Sequence, residues 1–554
     1  GSKPSARQPP EGGRRGPAAA RSPACRRGGV WGVMSRLLWV RNEAFDHGCF
    51  NTSVRWTVPK VLDFLGSLRI AVPSMNITRA MWVDAATNKC KPALTEAEAT
   101  AYWNVFSVLS QNILGMPGDP LDVRRIGLVL MCQVFSPHRV RADQFVKSGE
   151  MFPGNQRSGR QSPRCTSPRA GHSAQAPTVS RGREASAAML AFVRDHVGSF
   201  LQVACFALSS EPASVSSDEF DILGLILSAG SSMAQPHKKL SEGIPELSAR
   251  KVLPMQELRD LFDKSLVWNE DVYPAVEPTP HAISGMAPET GSEKTVNLSG
   301  LSKTTWFQNP KDAEIRYLNI IGCTDCTFYV TSNVHFCLAT GCHDCNIVMS
   351  SVSALCTISH CEKISVHVAA HCFKMDNSTD SSAFLFCHIP PILTGDTRGI
   401  KLAPFNVLSS SLSAALAAGS MQLDPEYVDV WAYPVCCALG VPNETMSIRS
   451  GAPNEPSNTV YHFVHPASFQ PVVVPGPPAR GAGGAVPLCL PQVYDDAFKS
   501  REEEMRTLQR SLAELGDEAK RKRVQQTIQG HFREWLQSTG KSRQLADLAR
   551  MARP

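Results

Sequence analysis

A five-residue cluster recurs at a fixed interval near the middle of the chain. Gly322-Cys323-Thr324-Asp325-Cys326 returns 19 residues later as Gly341-Cys342-His343-Asp344-Cys345, and His360-Cys361-Glu362-Lys363-Ile364 follows after another 19. Apolar columns keep the same interval: Phe328, Ile347, Val366 and Leu385; Val330, Met349, Val368 and Cys387; Leu318, Cys337, Cys356 and Met375. Within a unit, residues alternate as in Ile364-Ser365-Val366-His367-Val368, the period of a strand with alternate side chains inward. A unit of 19 is too short for a strand plus crossover helix, which needs about 30 residues. The chain is therefore expected to wind as a solenoid over 296–402, each coil stacked on the last at ~4.8 Å. Parallel crossovers favour a right-handed parallel β-helix. Such a prism needs caps; Leu298 and Leu301 suit its first coil, and Ile400, Leu402 and Phe405 its exit.

A chain of 554 residues is too long for one core, so the repeat is one part of a multidomain α+β protein. Residues 1–33 mix Arg, Gly, Pro and Ala without periodicity and read as a disordered extension. Met34, just before the first apolar segment, reads as the initiator. Residues 34–148 and 186–272 carry helical patterns and form an all-helical N-terminal domain, interrupted by a Ser/Arg/Pro/Gly-rich disordered insertion over 149–185. One helix is expected near 95–114, with Tyr102, Trp103 and Phe106. Another is expected from Ser216-Ser217-Asp218-Glu219 through Leu227. A linker over 273–293 leads to the β-helix at 294–435. A strand and loop region follows over 436–490, then helices over 491–554. Val524, Ile528, Phe532, Trp535 and Leu536 form a stripe on the last helix, suited to packing on the rest of the molecule or to a partner helix.

Composition excludes little but points away from some partners. The net charge of +6 is small for this length, and Lys520-Arg521-Lys522-Arg523 reads as a solvated helix face, so no nucleic acid is implied. No apolar run reaches the ~18 residues of a membrane span, so membrane insertion is not expected. Without a secretory signal the 18 cysteines are read as reduced thiols of a cytosolic protein.

Cys323-x-x-Cys326 and Cys342-x-x-Cys345 have the spacing of a four-thiolate zinc ribbon. The alternative is that cysteine, a small hydrophobe, fills columns of a thin solenoid. The third coil puts Ile364 in the second column, separate columns hold Cys337 and Cys356, and every spacing equals the coil length. These favour columns over a metal site. His367 and His371 are placed by the alternation on an outward strand position and at a turn. Gly540-Lys541-Ser542 lacks the first glycine of a phosphate-binding loop, and Gly481-Ala482-Gly483-Gly484 lacks the third glycine of a dinucleotide fingerprint. No catalytic, metal-binding or cofactor-binding residues are assigned.

The cysteine-rich solenoid resembles the cofactor C-like (TBCC/C-CAP) domain family. The likeness extends through Leu37-Leu38-Trp39-Val40, Ala191-Phe192-Val193-Arg194-Asp195-His196, Leu402-Ala403-Pro404-Phe405-Asn406, Leu490-Pro491-Gln492-Val493-Tyr494 and Phe532-Arg533-Glu534-Trp535, over most of 34–548. Catalytic members stimulate GTP hydrolysis with an arginine finger on a coil. Aligned on Cys361, that finger falls near Cys356-Thr357, and no arginine lies between Arg316 and Arg398. The resemblance thus implies a non-catalytic cytoskeletal scaffold, not an enzyme. The branch matched over this wider span is associated with centrosomes, spindle poles and basal bodies, and with positioning the centrosome relative to nucleus and Golgi. Implied partners are centrosomal or basal-body proteins, with tubulin or a small GTPase as other candidates. The alternative is a GTPase-activating or tubulin-folding cofactor, for tubulin or an Arl-type small GTPase, that uses another cation such as Arg316 or Arg398.

Overall fold

The computed structural model describes residues 37–135, 178–230, 238–268, 295–308, 315–438, 460–475, 489–514 and 518–538, with 542, 545 and 546. The extension over 1–33, the insertion over 149–177, the linker over 273–293, the glycines at 481–484 and Gly540-Lys541 lie outside the described residues. Helix Thr178–Asp195 begins within the span read from sequence as insertion.

In the N-terminal region, helices are set by local signals and held by one apolar core. Helix Glu96–Leu114 starts at a capping box: Thr95 Oγ1 accepts from the Glu98 amide while Glu98 accepts from the Thr95 amide. It stops at Gly115, whose φ of 63° suits a residue without Cβ. Tyr102, Trp103 and Phe106 are buried on its inner side with Phe64 and Trp82. Ser216 and Glu219 form the second capping box, but the helix they open, Ser217–Ile222, is shorter than the pattern predicts. A 3₁₀ turn carries the chain to Leu225, and Leu227–Gly230 is a strand. That strand pairs antiparallel with Leu37–Val40, which pairs parallel with Leu266–Val267. A short continuous apolar run is compatible with either a buried helix or a buried strand, so pattern alone does not separate them.

The solenoid is present, with parallel strands stacked coil upon coil. Strand Ile315–Ile321 pairs with Thr327–Thr340, which pairs with Asn346–Ser359, then Ser365–Asp376, then Ser382–Cys387, and finally Ile400–Pro404. Thr295–Ser299 adds the first rung and Tyr461–Phe463 the last. Inward side chains such as Phe328, Ile347 and Val366 fill a continuous core.

The interval of 19 does not run to the end. Thr327, Asn346 and Ser365 are successive partners 19 apart, but Ser365 pairs with Ser382, 17 residues on. Two register shifts in strand Ser365–Asp376, between Val348 and Ser351 and between Val352 and Leu355 of its partner, each remove one residue. The column after Val366 therefore continues with Ala383 and not Leu385, that after Val368 with Leu385 and not Cys387, and that after Cys356 with Phe373 and not Met375. Losing two residues preserves the inward–outward parity, so the core stays apolar and only the column membership changes.

Each corner turns through two left-handed residues. Gly322 and Asp325, Gly341 and Asp344, His360 and Lys363, then Asn377 and Asp380 all have φ between 47° and 63°. Gly, Asn and Asp tolerate that region, which accounts for the recurring corner cluster.

Candidate functional site

The outer face of the coils determines what this solenoid can offer a partner. Cys356 points inward and is fully buried in the coil core. Thr357 points outward in a column that runs Asn319, Leu338, Thr357, Lys374 and Ile392. The family likeness expects the arginine finger near Cys356-Thr357, and the outward member of that pair is covered: Thr357 is 2% exposed. Its hydroxyl lies 2.8 Å from His47 Nδ1, a residue from the first helical segment of the chain.

That contact belongs to a continuous seam. One coil on, Lys374 is 1% exposed, and its ammonium donates to the His47 carbonyl at 2.6 Å and the Cys49 carbonyl at 2.8 Å. The same ammonium sits 4.9 Å from the centre of the Phe50 ring. One coil before Thr357, His47 stacks on Phe336 with ring centres 5.1 Å apart, and Phe336 stacks in turn on Tyr317. Tyr317 donates to Glu43 Oε1 at 2.6 Å, and both residues are buried. Residues 43–50 thus lie across four successive coils, and Tyr317, Phe336, Leu355 and Cys372 join the core of the helical region. Sequence reasoning missed Lys374, His47 and Glu43. The available signal was one lysine inside the apolar run Cys372-Phe373-Lys374-Met375.

The other arginines considered as replacements are elsewhere. Arg316 is half-buried, with Nε donating to the Tyr317 hydroxyl at 3.1 Å. Arg398 is exposed at a solenoid corner and paired with Asp396 at 2.6 Å.

The thiols of the two Cys-x-x-Cys clusters stand in vertical columns. Cys323, Cys326, Cys342, Cys345 and Cys361 each turn the sulfur back to the carbonyl two residues earlier, at 3.3–3.6 Å. In the next coil Ser378 and Ser381 make the same contact, to Asp376 and Thr379, at 2.9 and 2.8 Å. A hydroxyl replaces the thiol as a second donor to a corner carbonyl that already accepts a main-chain N–H. The neighbouring Cys342 thiol, followed by burial, pushes the Cys323 thiol far above its ordinary range, and Cys345 acts likewise on Cys326. Among the described residues no three His, Cys, Asp or Glu side chains are grouped to hold an ion.

His367 faces outward from its coil yet is only 4% exposed. Nδ1 meets Asn406 Oδ1 at 2.7 Å, Nε2 meets Ser365 Oγ at 3.1 Å, and the ring stacks on Phe384. Burial pushes its pKa down to about 4, against the Asn406 bond that raises it. A second cover accounts for this face: helix Leu412–Ala418 and its flanks pack on Tyr329, Val348, Ala369 and Phe386.

On helix Glu518–Ser538, by contrast, Ile528, Phe532 and Trp535 are about half exposed, and no residue is buried. Among the described residues the stripe is not buried against the rest of the molecule. The helix before it, Gln492–Glu514, is anchored through its first half, where Tyr494 packs on Trp431 and Phe469 and Arg501 donates to the Ala467 and Phe469 carbonyls.

Comparison with known proteins agrees with the coil geometry. Residues 315–433 match the family model described as Tubulin binding cofactor C. Curated relatives named TBCC domain-containing protein 1 are similar to this chain. The chicken (Gallus gallus) protein is 24% identical over 34% of this chain and 31% of its own length. The mouse (Mus musculus) protein is 23% identical over 51% and 48%, and the Xenopus laevis protein 23% over 46% and 44%. The chain thus spans 31–48% of the length of these relatives. Among solved structures, Tubulin Binding Cofactor C from Leishmania major matches at 15% identity, covering 28% of this chain and 94% of that one with a TM-score of 0.21. The fold assignment accordingly rests on the stacked coils themselves. Residues 315–433 are thus similar to the tubulin binding cofactor C family, and over a wider span the chain is similar to TBCC domain-containing protein 1.

Proposed function

We propose that this chain is a non-catalytic cytoskeletal scaffold at the microtubule-organising centre, acting in centrosome or basal-body positioning and in arranging nucleus and Golgi around it. The observation that supports the non-catalytic part is the buried Thr357 hydroxyl against His47. An arginine finger is worth about 10³–10⁵ in rate because its guanidinium reaches the charge building on the transferring phosphoryl group. Here the position holds a neutral hydroxyl, and the nearest cation of its column, Lys374, is spent on two main-chain carbonyls. A GTPase docked on this face would first have to displace residues 43–50.

The location is supported by similarity to TBCC domain-containing protein 1. Its partners in this reading are centrosomal or basal-body proteins, and tubulin or a small GTPase is at most bound, not activated. The chain is then neither an enzyme nor a metalloprotein. Among the described residues no helix is long and apolar enough to cross a membrane.

Single-turnover GTP hydrolysis by tubulin, and by an Arl-type small GTPase, tests the catalytic part. The expected rate is the same with and without this chain. Acceleration abolished by Arg316→Ala or Arg398→Ala would establish the alternative, an activator with a different cation. Proximity labelling from the tagged protein tests the location, and labelling spread without enrichment at microtubule-organising centres would count against it.

A further inference from the structure

Ile315, Val334, Val352, Ala370 and Cys387 are successive partners on five adjacent strands. The residue after each one stands in an outward column of its own: Arg316, His335, Ser353, His371 and His388. At the strand spacing of ~4.8 Å this stacks one guanidinium, one hydroxyl and three imidazoles up a single edge of the solenoid. All five line one cleft of about 740 Å³. Its other wall holds the amides of Gln111 and Asn112, from the end of helix Glu96–Leu114, and residues 418–421. Among the described residues no carboxylate lines it.

Such a lining suits neither an apolar ligand nor a cation. Its side chains are mostly hydrogen-bond donors or groups that become donors on protonation. The volume is in the range of small-molecule sites and exceeds what a lone inorganic ion fills. We infer that this cleft binds the oxyanion of a phosphate-bearing small molecule, held by Arg316 and the imidazole ladder of His335, His371 and His388.

The ladder is internally bonded. His335 Nδ1 lies 2.9 Å from Ser353 Oγ, and the Nδ1 atoms of His371 and His388 are 3.3 Å apart. Burial holds His335 and His371 at about 4, and the charged neighbours act unevenly. Arg316 lowers His335 and Glu43 raises it, His388 lowers His371, and burial lowers His388 itself against the Gln422 main-chain bond and Asp424, which raise it. An entering oxyanion favours the imidazolium form, so binding takes up protons and tightens as pH falls. This site adjoins the covered face at Tyr317, to which Arg316 donates, but its occupancy does not depend on the scaffold reading.

Isothermal titration calorimetry of the full chain tests it, with inorganic pyrophosphate and adenosine triphosphate as separate probes at pH about 6 and about 7.5. The expected result is saturable one-to-one binding of at least one probe, tighter at the lower pH. Arg316→Gln and His388→Gln should each weaken it at least about tenfold, as loss of a charge-assisted hydrogen bond does. These two sit at opposite ends of the column, so if one variant fails to fold the other carries the test. Equal affinity for both probes means that the phosphates alone are read; tighter binding of the nucleotide means that the opposite wall contributes. No saturable heat with either probe at millimolar concentration and pH about 6, or binding unchanged in both variants, would overturn the inference.

Discussion

Lys374 illustrates how much one side chain can hold in this molecule. Two buried carbonyls, from His47 and Cys49, depend on its ammonium. Lys374→Met keeps the aliphatic stem and removes the ammonium donors from both carbonyls; the expected loss is about 2–4 kcal/mol in urea unfolding. His367 sets a pH dependence. Its folded pKa, pushed to about 4 by burial, lies below the ordinary imidazole value of about 6.5. The unfolded chain therefore binds more protons in that interval. Stability is complete above about 6.5 and is lost as pH falls toward about 4. His335 and His371, also lowered to about 4, act in the same direction. Urea midpoints measured from pH about 7 to about 4.5 should fall steadily, and His367→Gln should fall less steeply. A midpoint independent of pH over that range would contradict the buried neutral imidazoles.

The solenoid coil is the element in which sequence and structure can be compared most closely. Its period, inward alternation and corner cluster were legible because a stacked fold writes the same side chains at the same interval. Gly322 and Gly341, and Asp325 and Asp344, recur because each corner needs left-handed residues. The 17-residue interval was not legible, since the bulges leave parity intact and Leu385 fits an apolar column as well as Ala383 does. Nor was the covering of the outer faces. Thr357 and His367 alternate as solvent-facing residues do, and only segments 310 and 39 residues away in the chain bury them. The Cys-x-x-Cys spacing is ambiguous until Ser378 and Ser381 are seen in the same role. Cys342→Ser should therefore cost no more than about 1 kcal/mol, because a hydroxyl can take the same carbonyl. A metal ligand would cost far more, so collapse of folding in this variant, or stoichiometric zinc in the purified protein, would favour the thiolate reading.

At the scale of the whole molecule, the described residues fall in one compact unit, with the helical region fastened to the solenoid along residues 43–50. The C-terminal helices depart from that plan. Tyr494 is packed against Trp431 and Phe469, and Arg501 donates to the Ala467 and Phe469 carbonyls, but helix Glu518–Ser538 has no buried residue. Truncation after residue 502 should leave the melting temperature within about 2 °C, whereas truncation before Tyr494 should lower it by several degrees. The closed face carries the proposed scaffold reading, and Thr357→Arg tests it most directly. With the variant shown to unfold cooperatively, single-turnover GTP hydrolysis by tubulin and by an Arl-type small GTPase is predicted to proceed no faster than without it. Acceleration by Thr357→Arg, absent from the unaltered chain, would show that a partner reaches this face and would contradict the account.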